Sequence, residues 1–185
     1  PMTTTKWDFD LSHSSVNFSV RHLMISKVRG RFTQWGGSLQ IDDADLTRSK
    51  LEVSIEAASI DTRDDKRDEH LRSADFFDVA NHPSLTFKTT KIDKVSDTEL
   101  AVTGDLTIRG VTQPVTLAVE LGGEVKDPWG ATRRAFEAKT SVNRKDFGLH
   151  WNAALEAGGV VVGEKVEIAI EIEAVQVQVQ ENHAA

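Results

Sequence analysis

Apolar and polar residues alternate strictly along much of this chain. Leu51, Val53 and Ile55, for example, alternate with Glu52 and Ser54. Successive side chains of a β-strand point to opposite faces of the sheet, so this period of two predicts strands with one apolar face and one solvated face. The same pattern occurs in residues 7–11, 16–20, 85–87, 100–108, 115–121, 136–142 and 166–172.

Residues 28–41 form one further predicted strand, with a bend at Gly36-Gly37, because paired glycines suit a bulge or a sharp change of direction. The strands, about eight or nine in all, are separated by short turn signals such as Gly122-Gly123. Short connections favour antiparallel pairing, and closing the sheet into a barrel removes its exposed edges. We therefore predict an all-β fold, an antiparallel barrel of about eight strands.

Two stretches interrupt the alternation and predict short helical segments. Residues 64–73 are rich in charged side chains, and Asp61 and Thr62 are the expected N-terminal cap. Residues 146–159 form the second segment, which ends at a pair of glycines. The predicted barrel thus carries two short helical segments in addition to its strands.

The largest apolar side chains lie in or beside these two segments. Phe76 and Phe77 follow the first segment, and Phe147 and Trp151 lie in the second. This distribution favours helices or loops that cover an end of the barrel or line its mouth. An eight-stranded barrel is either filled by its own side chains or holds one small ligand, and the pattern by itself leaves both possibilities open.

Composition narrows the classes of function. The 185 residues suit one all-β domain and can bury a core without cross-links. The chain has no cysteine, which excludes disulfides, thiol nucleophiles and zinc–thiolate sites. A formal net charge of −7 disfavours nucleic acid or an anionic membrane as the main partner. We expect a single domain over residues 6–179, with flexible termini at 1–5 and 180–185.

The leading residues bear on the compartment. Residues 1–6 lack the apolar core of a secretion signal, and the chain has no apolar run long enough for a transmembrane helix. We therefore expect a cytoplasmic location if Met2 is the native start. If a signal has been removed, the expected location is the periplasm.

The histidines raise an enzyme as the alternative. Asp10, His13 and Ser14 are the residue types of a hydrolytic triad, but neighbours on a strand face opposite sides, and no Gly-x-Ser-x-Gly motif is present. The histidines also lack the spacing of known metal-binding motifs, although convergence in three dimensions stays open. The alternative is thus an enzyme on a related barrel, with His13, His22 or His70 as base or metal ligand.

A series of short motifs runs in order through nearly the whole chain. They are Trp7-Asp8-Phe9-Asp10, His13-Ser14, His22-Leu23, Gly30-Arg31-Phe32, Ser59-Ile60-Asp61-Thr62, Arg67-Asp68-Glu69-His70-Leu71, Asp75-Phe76-Phe77-Asp78, Gly104-Asp105-Leu106-Thr107-Ile108-Arg109-Gly110 and Asn143-Arg144-Lys145-Asp146-Phe147-Gly148-Leu149. In this order the chain resembles the YceI-like family of lipid-binding proteins.

The resemblance implies a lipocalin-like antiparallel barrel of eight strands that encloses a long apolar molecule. Its expected partner is a polyisoprenoid, an isoprenoid quinone or a fatty-acid-like lipid, which the protein binds, sequesters or transports without catalysis. It also implies a possible homodimer. We expect no cofactor, no metal and no catalytic residue.

The expected pocket residues come from the inward faces of the strands and from the aromatic groups near the helical segments. They are Phe18, Val20, Val53, Ile55, Leu71, Phe76, Phe77, Phe87, Leu106, Ile108, Phe136, Phe147 and Trp151.

Arg67 and His70 are three positions apart on one face of the first helical segment, and are candidates for contact with an anionic head group. The competing interpretation is structural, either a solvated helix or an anchor that ties the helix to the barrel. Arg29-Arg31 and Arg144-Lys145 are second candidates of the same kind, with charged strand edges as the alternative.

Overall fold

The computed structural model describes residues 4–155 and 159–178. These residues form one antiparallel sheet with a single α-helix and four short 3₁₀ helices. The strands are β1 Thr4–Phe9, β2 Ser15–His22, β3 Ser26–Phe32, β4 Trp35–Asp42, β5 Lys50–Glu56, β6 Ile60–Asp61, β7 Ser84–Lys94, β8 Glu99–Ile108, β9 Val111–Lys126, β10 Thr132–Asn143 and β11 Val162–Gln176. The helix α1 is Asp65–Arg72, and the 3₁₀ helices are Leu11–His13, Leu46–Arg48, Ala57–Ser59 and Arg144–Phe147.

The sheet closes on itself. Eight strands form the ring β1-β4-β5-β7-β8-β9-β10-β11, which closes through the pairing of β1 with β11. Along β11 the partner changes, because Ala174 pairs with Phe9 of β1 whereas Glu171 pairs with Ser15 of β2. From there the sheet continues through β2, β3 and β6. The predicted closed antiparallel barrel is confirmed.

The strand predicted over residues 28–41 is divided into β3 and β4, and the predicted bend at Gly36-Gly37 is wrong. The break lies at Thr33, whose N–H donates to the carbonyl of Ser59 at 3.1 Å. Gly37 lies inside β4, where a Cβ atom would collide with the backbone carbonyl of Glu52 on β5. This glycine therefore permits the close approach of two strands and does not bend one.

The first helical segment is confirmed as α1, but its cap differs from the prediction. The carboxylate of Asp64 accepts the N–H of Arg67 at 3.1 Å, so Asp64 is the capping residue in place of Asp61 or Thr62.

The second helical segment is shorter than predicted and begins earlier. In the described part of this region, the helical residues are Arg144–Phe147. This 3₁₀ helix ends at Gly148, which adopts a left-handed conformation (φ 80°). Residues 149–155 are not helical, and 156–158 lie outside the described residues.

The N-terminal strand begins earlier than the domain boundary that we predicted. Thr4 and Thr5, assigned to a flexible terminus, pair with Asp42 and Ile41 of β4. The tail predicted at 180–185 lies outside the described residues. No helix in the described part of the chain has the length and apolar character needed to cross a membrane.

Candidate ligand-binding site

The barrel encloses a cavity of about 630 Å³. Ligand sites in proteins typically have volumes of about 300–1,000 Å³. Of the two possibilities that the pattern left open, the barrel is therefore hollow and not filled by its own side chains. All the predicted pocket residues line the cavity, namely Phe18, Val20, Val53, Ile55, Leu71, Phe76, Phe77, Phe87, Leu106, Ile108, Phe136, Phe147 and Trp151.

The wall also contains apolar residues that we did not nominate. They include Val16, Trp35, Val102, Leu117 and Ile170. All of them except Trp35 fall within the alternating segments, so the period of two was a sufficient signal for their inward orientation. The lining of the barrel interior is thus predominantly apolar.

Two glycines make room for aromatic rings against the wall. A Cβ atom on Gly30 would collide with the ring of Phe18 on the neighbouring strand, and one on Gly104 would collide with the ring of Phe87. Each ring therefore lies over a glycine and fits against the backbone, as in other sheets where an aromatic side chain covers a glycine. The rings line the cavity without filling it.

A small buried cluster fills the barrel beyond one end of the cavity, which we call the closed end. Trp7 is 1% exposed and packs with Ile41 and Ala174. Its indole N–H donates to the hydroxyl of Thr5 at 2.8 Å, and the guanidinium of Arg134 lies 5.7 Å from its ring centroid. A large buried side chain with a satisfied polar group thus packs at this end of the barrel.

An ion-pair network lies on the outside of the closed end. The guanidinium of Arg133 contacts the carboxylate of Asp127 at 2.9 Å and that of Asp10 at 2.8 Å. The hydrogen bond from Arg133 is the main cause that lowers the pKa of Asp127. For Asp10, hydrogen bonds from Ser12 and then Arg133 hold the pKa well below its usual range. Both carboxylates are therefore charged at neutral pH.

Residues 10–13 contain the triad residue types, and they lie on a turn and not on a strand. Leu11–His13 is a 3₁₀ turn, and it brings the hydroxyl of Ser12 to 3.1 Å and the carboxylate of Asp10 to 2.9 Å from Nδ1 of His13. In a catalytic triad the serine and the acid bind opposite ring nitrogens. Here the Ser12 hydroxyl and the Asp10 carboxylate both contact Nδ1 of His13. This arrangement therefore cannot relay a proton from Ser12 to Asp10 through the ring.

The same region contains a group of possible metal ligands. Single ligand atoms of Asp10, His13 and Glu173 lie within 4.8 Å of one another. The guanidinium of Arg133, however, lies 2.8 Å from Asp10 and 3.6 Å from Glu173. The positive charge that these carboxylates require is supplied by the protein itself.

The opposite end, which we call the open end, is formed by α1, the segment after Gly148 and the hairpin between β2 and β3. Trp151 packs edge-on to the ring of His70, with centroids 4.6 Å apart, and lies 5.4 Å from the ring of Phe76. Several charged and polar residues of the lining, including His22 and Lys66, lie here, whereas Ser49 and Lys50 lie toward the closed end. The aromatic groups predicted to line a mouth are therefore found together at one end.

Arg67 and His70, the predicted head-group candidates, both line this end and both have partners within the protein. Arg67 donates to the hydroxyl and the carbonyl of Thr62 at 2.8 and 2.7 Å. Nε2 of His70 lies 2.8 Å from the carboxylate of Asp75. These contacts favour the structural interpretation of both residues, and a head-group role stays a prediction.

Arg144, which with Lys145 was a second head-group candidate, is a buried charge and not a charged strand edge. It is 4% exposed, and its guanidinium donates to the carbonyls of Gly163, Leu149 and Trp151 at 2.7 to 2.9 Å. Burial lowers the pKa of this guanidinium. In the sequence Arg144 lies next to Lys145 and resembles a charged strand edge, so no local signal marks it as the group that holds the segment between β10 and β11.

Comparison with protein families gives one match across almost the whole described chain. The YceI-like domain matches residues 7–174. Protein YceI of Escherichia coli O157:H7 is 40% identical over 171 residues, which make up 92% of this chain and 86% of that protein. A UPF0312 protein of Staphylococcus epidermidis is 42% identical over 164 residues, 88% of this chain and 93% of the relative.

Solved structures share the barrel. The YCEI protein of Campylobacter jejuni superposes with a TM-score of 0.74 at 31% identity, covering 85% of this chain and 90% of that one. BcnA of Burkholderia cenocepacia gives a TM-score of 0.79 at 22% identity, covering 90% and 99%. A polyisoprenoid binding domain from Saccharophagus degradans gives 0.69 at 16% identity, covering 92% and 98%. The last two establish the shared fold alone.

Proposed function

The chain belongs to the YceI-like domain family, and we propose that it binds, sequesters or transports a long apolar amphiphile inside its barrel without catalysing a reaction on it. The cargo class is a polyisoprenoid, an isoprenoid quinone or a fatty-acid-like lipid. The observation that carries this proposal is the apolar cavity of about 630 Å³, because the side chains that surround it offer contact area and few polar groups.

The energy available in such a cavity is sufficient for binding. Each buried methylene contributes about 0.8 kcal/mol, so a cargo that buries about ten of them gains about 8 kcal/mol. This corresponds to micromolar affinity before the cost of ordering the cargo. An apolar wall discriminates by length and shape more than by polar chemistry, so we expect selectivity for chain length.

The relatives support the class of cargo. The structural neighbour from Saccharophagus degradans is named a polyisoprenoid binding domain, and it has the same barrel. We extend that cargo class to this chain because the cavity here is lined by apolar side chains along its length. A homodimer and a cytoplasmic location stay predictions.

We favour binding over catalysis because the cavity is walled mainly by apolar side chains, which lipid binding accounts for. Of the nominated histidines, His22 and His70 belong to the cavity lining, and Nε2 of His70 lies 2.8 Å from the carboxylate of Asp75. His13 is not part of the lining, and its Nδ1 lies 2.9 Å from the carboxylate of Asp10.

The experiment is organic extraction of the purified protein and mass spectrometry of the extract, beside a native mass of the intact protein. Ile55 lines the cavity, whereas its neighbour Ser54 is exposed on the outer face of β5. We expect about one long-chain lipid per chain in the native protein. Ile55→Asp should lose it, because a carboxylate inside an apolar cavity costs several kcal/mol, whereas Ser54→Asp should retain it.

Circular dichroism checks that both variants keep the barrel. If the folded Ile55→Asp protein retains stoichiometric lipid, Ile55 does not line the site that holds the cargo. If the native protein yields an empty extract and takes up no added prenyl or fatty-acyl lipid, the carrier function is wrong.

A further inference from the structure

The hairpin between β2 and β3 ends in three apolar residues that face solvent. Leu23, Met24 and Ile25 are 37%, 52% and 83% exposed. We call these three residues the hairpin tip. Exposed apolar side chains that stand alone are common, but three in succession at the end of a hairpin form a contact surface for a partner.

The conformation of the turn does not explain why these residues are apolar. Leu23 and Met24 both adopt positive φ angles, 53° and 65°. Hairpin turns of this kind favour Asn and Gly, which reach the left-handed region with less strain. The residues at the tip therefore serve neither the turn nor the core, and strain of this kind is often found at functional positions.

The tip lies beside the mouth of the cavity. The N–H of Leu23 donates to the carbonyl of Val161 at 2.9 Å, and Val161 lines the cavity. His22, which directly precedes the tip, also lines it. A surface that covers the tip would therefore lie next to the entrance through which a cargo enters or leaves.

Two arginines flank the tip. Arg21 and Arg29 are exposed, and Arg21 also belongs to the cavity lining, between Val20 and His22. Neither arginine has an ion-pair partner among residues 4–155 and 159–178, whereas the neighbouring Lys27 is paired with Glu167 at 3.1 Å. Apolar residues flanked by unpaired arginines complement a lipid surface with anionic head groups.

We propose that the hairpin tip docks the open end of the barrel on the surface of an anionic phospholipid bilayer. The net charge of −7 acts mainly over long distances, where it is largely screened beyond about 8 Å at physiological salt, whereas the two arginines lie directly beside the tip. The purpose of docking, exchange of cargo with the bilayer, rests on the proposed function, whereas docking itself does not require a cargo.

A second exposed apolar residue provides an internal control. Trp129 is 85% exposed at the hairpin between β9 and β10, but the adjacent Asp127 carboxylate and the sealed Trp7 cluster lie at this closed end. If exposed apolar surface alone drove binding, Trp129 would contribute as much as the hairpin tip. If vesicle binding requires the arginines and a position beside the mouth of the cavity, Trp129 would contribute little.

The test is co-sedimentation of the full chain with vesicles of phosphatidylcholine mixed with phosphatidylglycerol, and with phosphatidylcholine alone. Leu23→Asn/Met24→Gly/Ile25→Ser removes the apolar tip with residues that suit the turn, so the variant should fold at least as well as the native protein. We expect it to lower partitioning to the anionic vesicles by at least about tenfold.

The charge variant Arg21→Gln/Arg29→Gln should lower partitioning to the anionic vesicles by about fivefold for each arginine, and have little effect on phosphatidylcholine vesicles. Its matched control is Lys126→Gln/Lys139→Gln, two exposed lysines without an ion-pair partner in the described part of the chain. This control and Trp129→Ser should bind the anionic vesicles as the native protein does.

Three outcomes would overturn the proposal: no binding of the native protein to anionic vesicles, native binding by the tip variant, or equal loss in Trp129→Ser. Loss of vesicle binding with self-association through the tip would instead identify a second copy of this chain as the partner. Extraction of lipid from the tip variant separates the two proposals, because a variant that holds cargo but does not bind vesicles loses docking alone.

Discussion

The two ends of the barrel are held by different kinds of interaction. At the closed end a large apolar side chain, Trp7, is almost fully buried, and Arg133 is paired with two carboxylates. At the open end the buried Arg144 donates to backbone carbonyls, and apolar residues of the hairpin tip face solvent. One end is packed with side chains that satisfy one another, and at the other a buried arginine bonds to backbone carbonyls beside the mouth of the cavity.

The difference teaches how one barrel can be both stable and accessible. A buried tryptophan contributes to stability through apolar contact over a large area, and the closed end has one. Arg144 donates hydrogen bonds to backbone carbonyls, and it therefore fixes the path of the segment after Gly148 without filling the space beside it. We therefore expect substitutions at the closed end to change stability, and substitutions at the open end to change access or local order.

The largest effect should come from the closed end. Trp7→Ala removes an almost fully buried side chain, so we expect the free energy of unfolding to fall by about 3–5 kcal/mol. Urea denaturation measures this change. Trp129→Ala, at an 85% exposed position, is the matched control and should change stability by less than about 0.5 kcal/mol. Similar losses in both variants would mean that the burial of Trp7 does not account for its contribution to stability.

A smaller effect is expected from the open end. Arg144→Gln leaves the carbonyls of Leu149, Trp151 and Gly163 without their donor, at a cost of about 2–3 kcal/mol. Amide hydrogen exchange should rise in residues 149–155 more than in the strands. Lys145→Gln removes only an exposed ion pair with Glu164 and should cost at most about 1 kcal/mol. Uniform exchange across the barrel would contradict a local role for Arg144.

The smallest effect concerns the ion pairs of Arg133. Because the folded-state pKa values of Asp10 and Asp127 are lowered, their stabilisation is present above the unfolded pKa of about 3.9 and is lost as pH falls through the lower folded values. Arg133→Gln should therefore have a lower melting temperature than the native protein at pH 7. The gap should narrow as the pH falls below about 4.

The control for this pH dependence is Arg48→Gln. The pKa of Asp45, the partner of Arg48, is lowered chiefly by hydrogen bonds from Thr47, which this variant keeps. The melting temperature of Arg48→Gln should change with pH in the same way as that of the native protein, so the gap between the two should stay constant. A constant gap for Arg133→Gln would show that the arginine stabilises the fold without lowering the two pKa values.

Several features of the site could be predicted from the chain because they depend on local periodicity. The inward orientation of Val53 and Ile55 follows from alternation, and the aromatic groups at one end follow from the breaks in it. The helix cap at Asp64 and the strand break at Thr33 could not be placed, because each depends on which nearby backbone group bonds to which partner.

The sequence by itself determined the class of fold, most of the strands and the faces that point inward, because the side-chain period of an extended backbone is a local property. Only the tertiary structure decided that the barrel is hollow, which end is closed and that Arg144 is buried. These features depend on how residues far apart in the chain pack together, as Trp7 does with Ala174 and as Arg144 does with Gly163. Packing of this kind leaves no periodic signal along the chain.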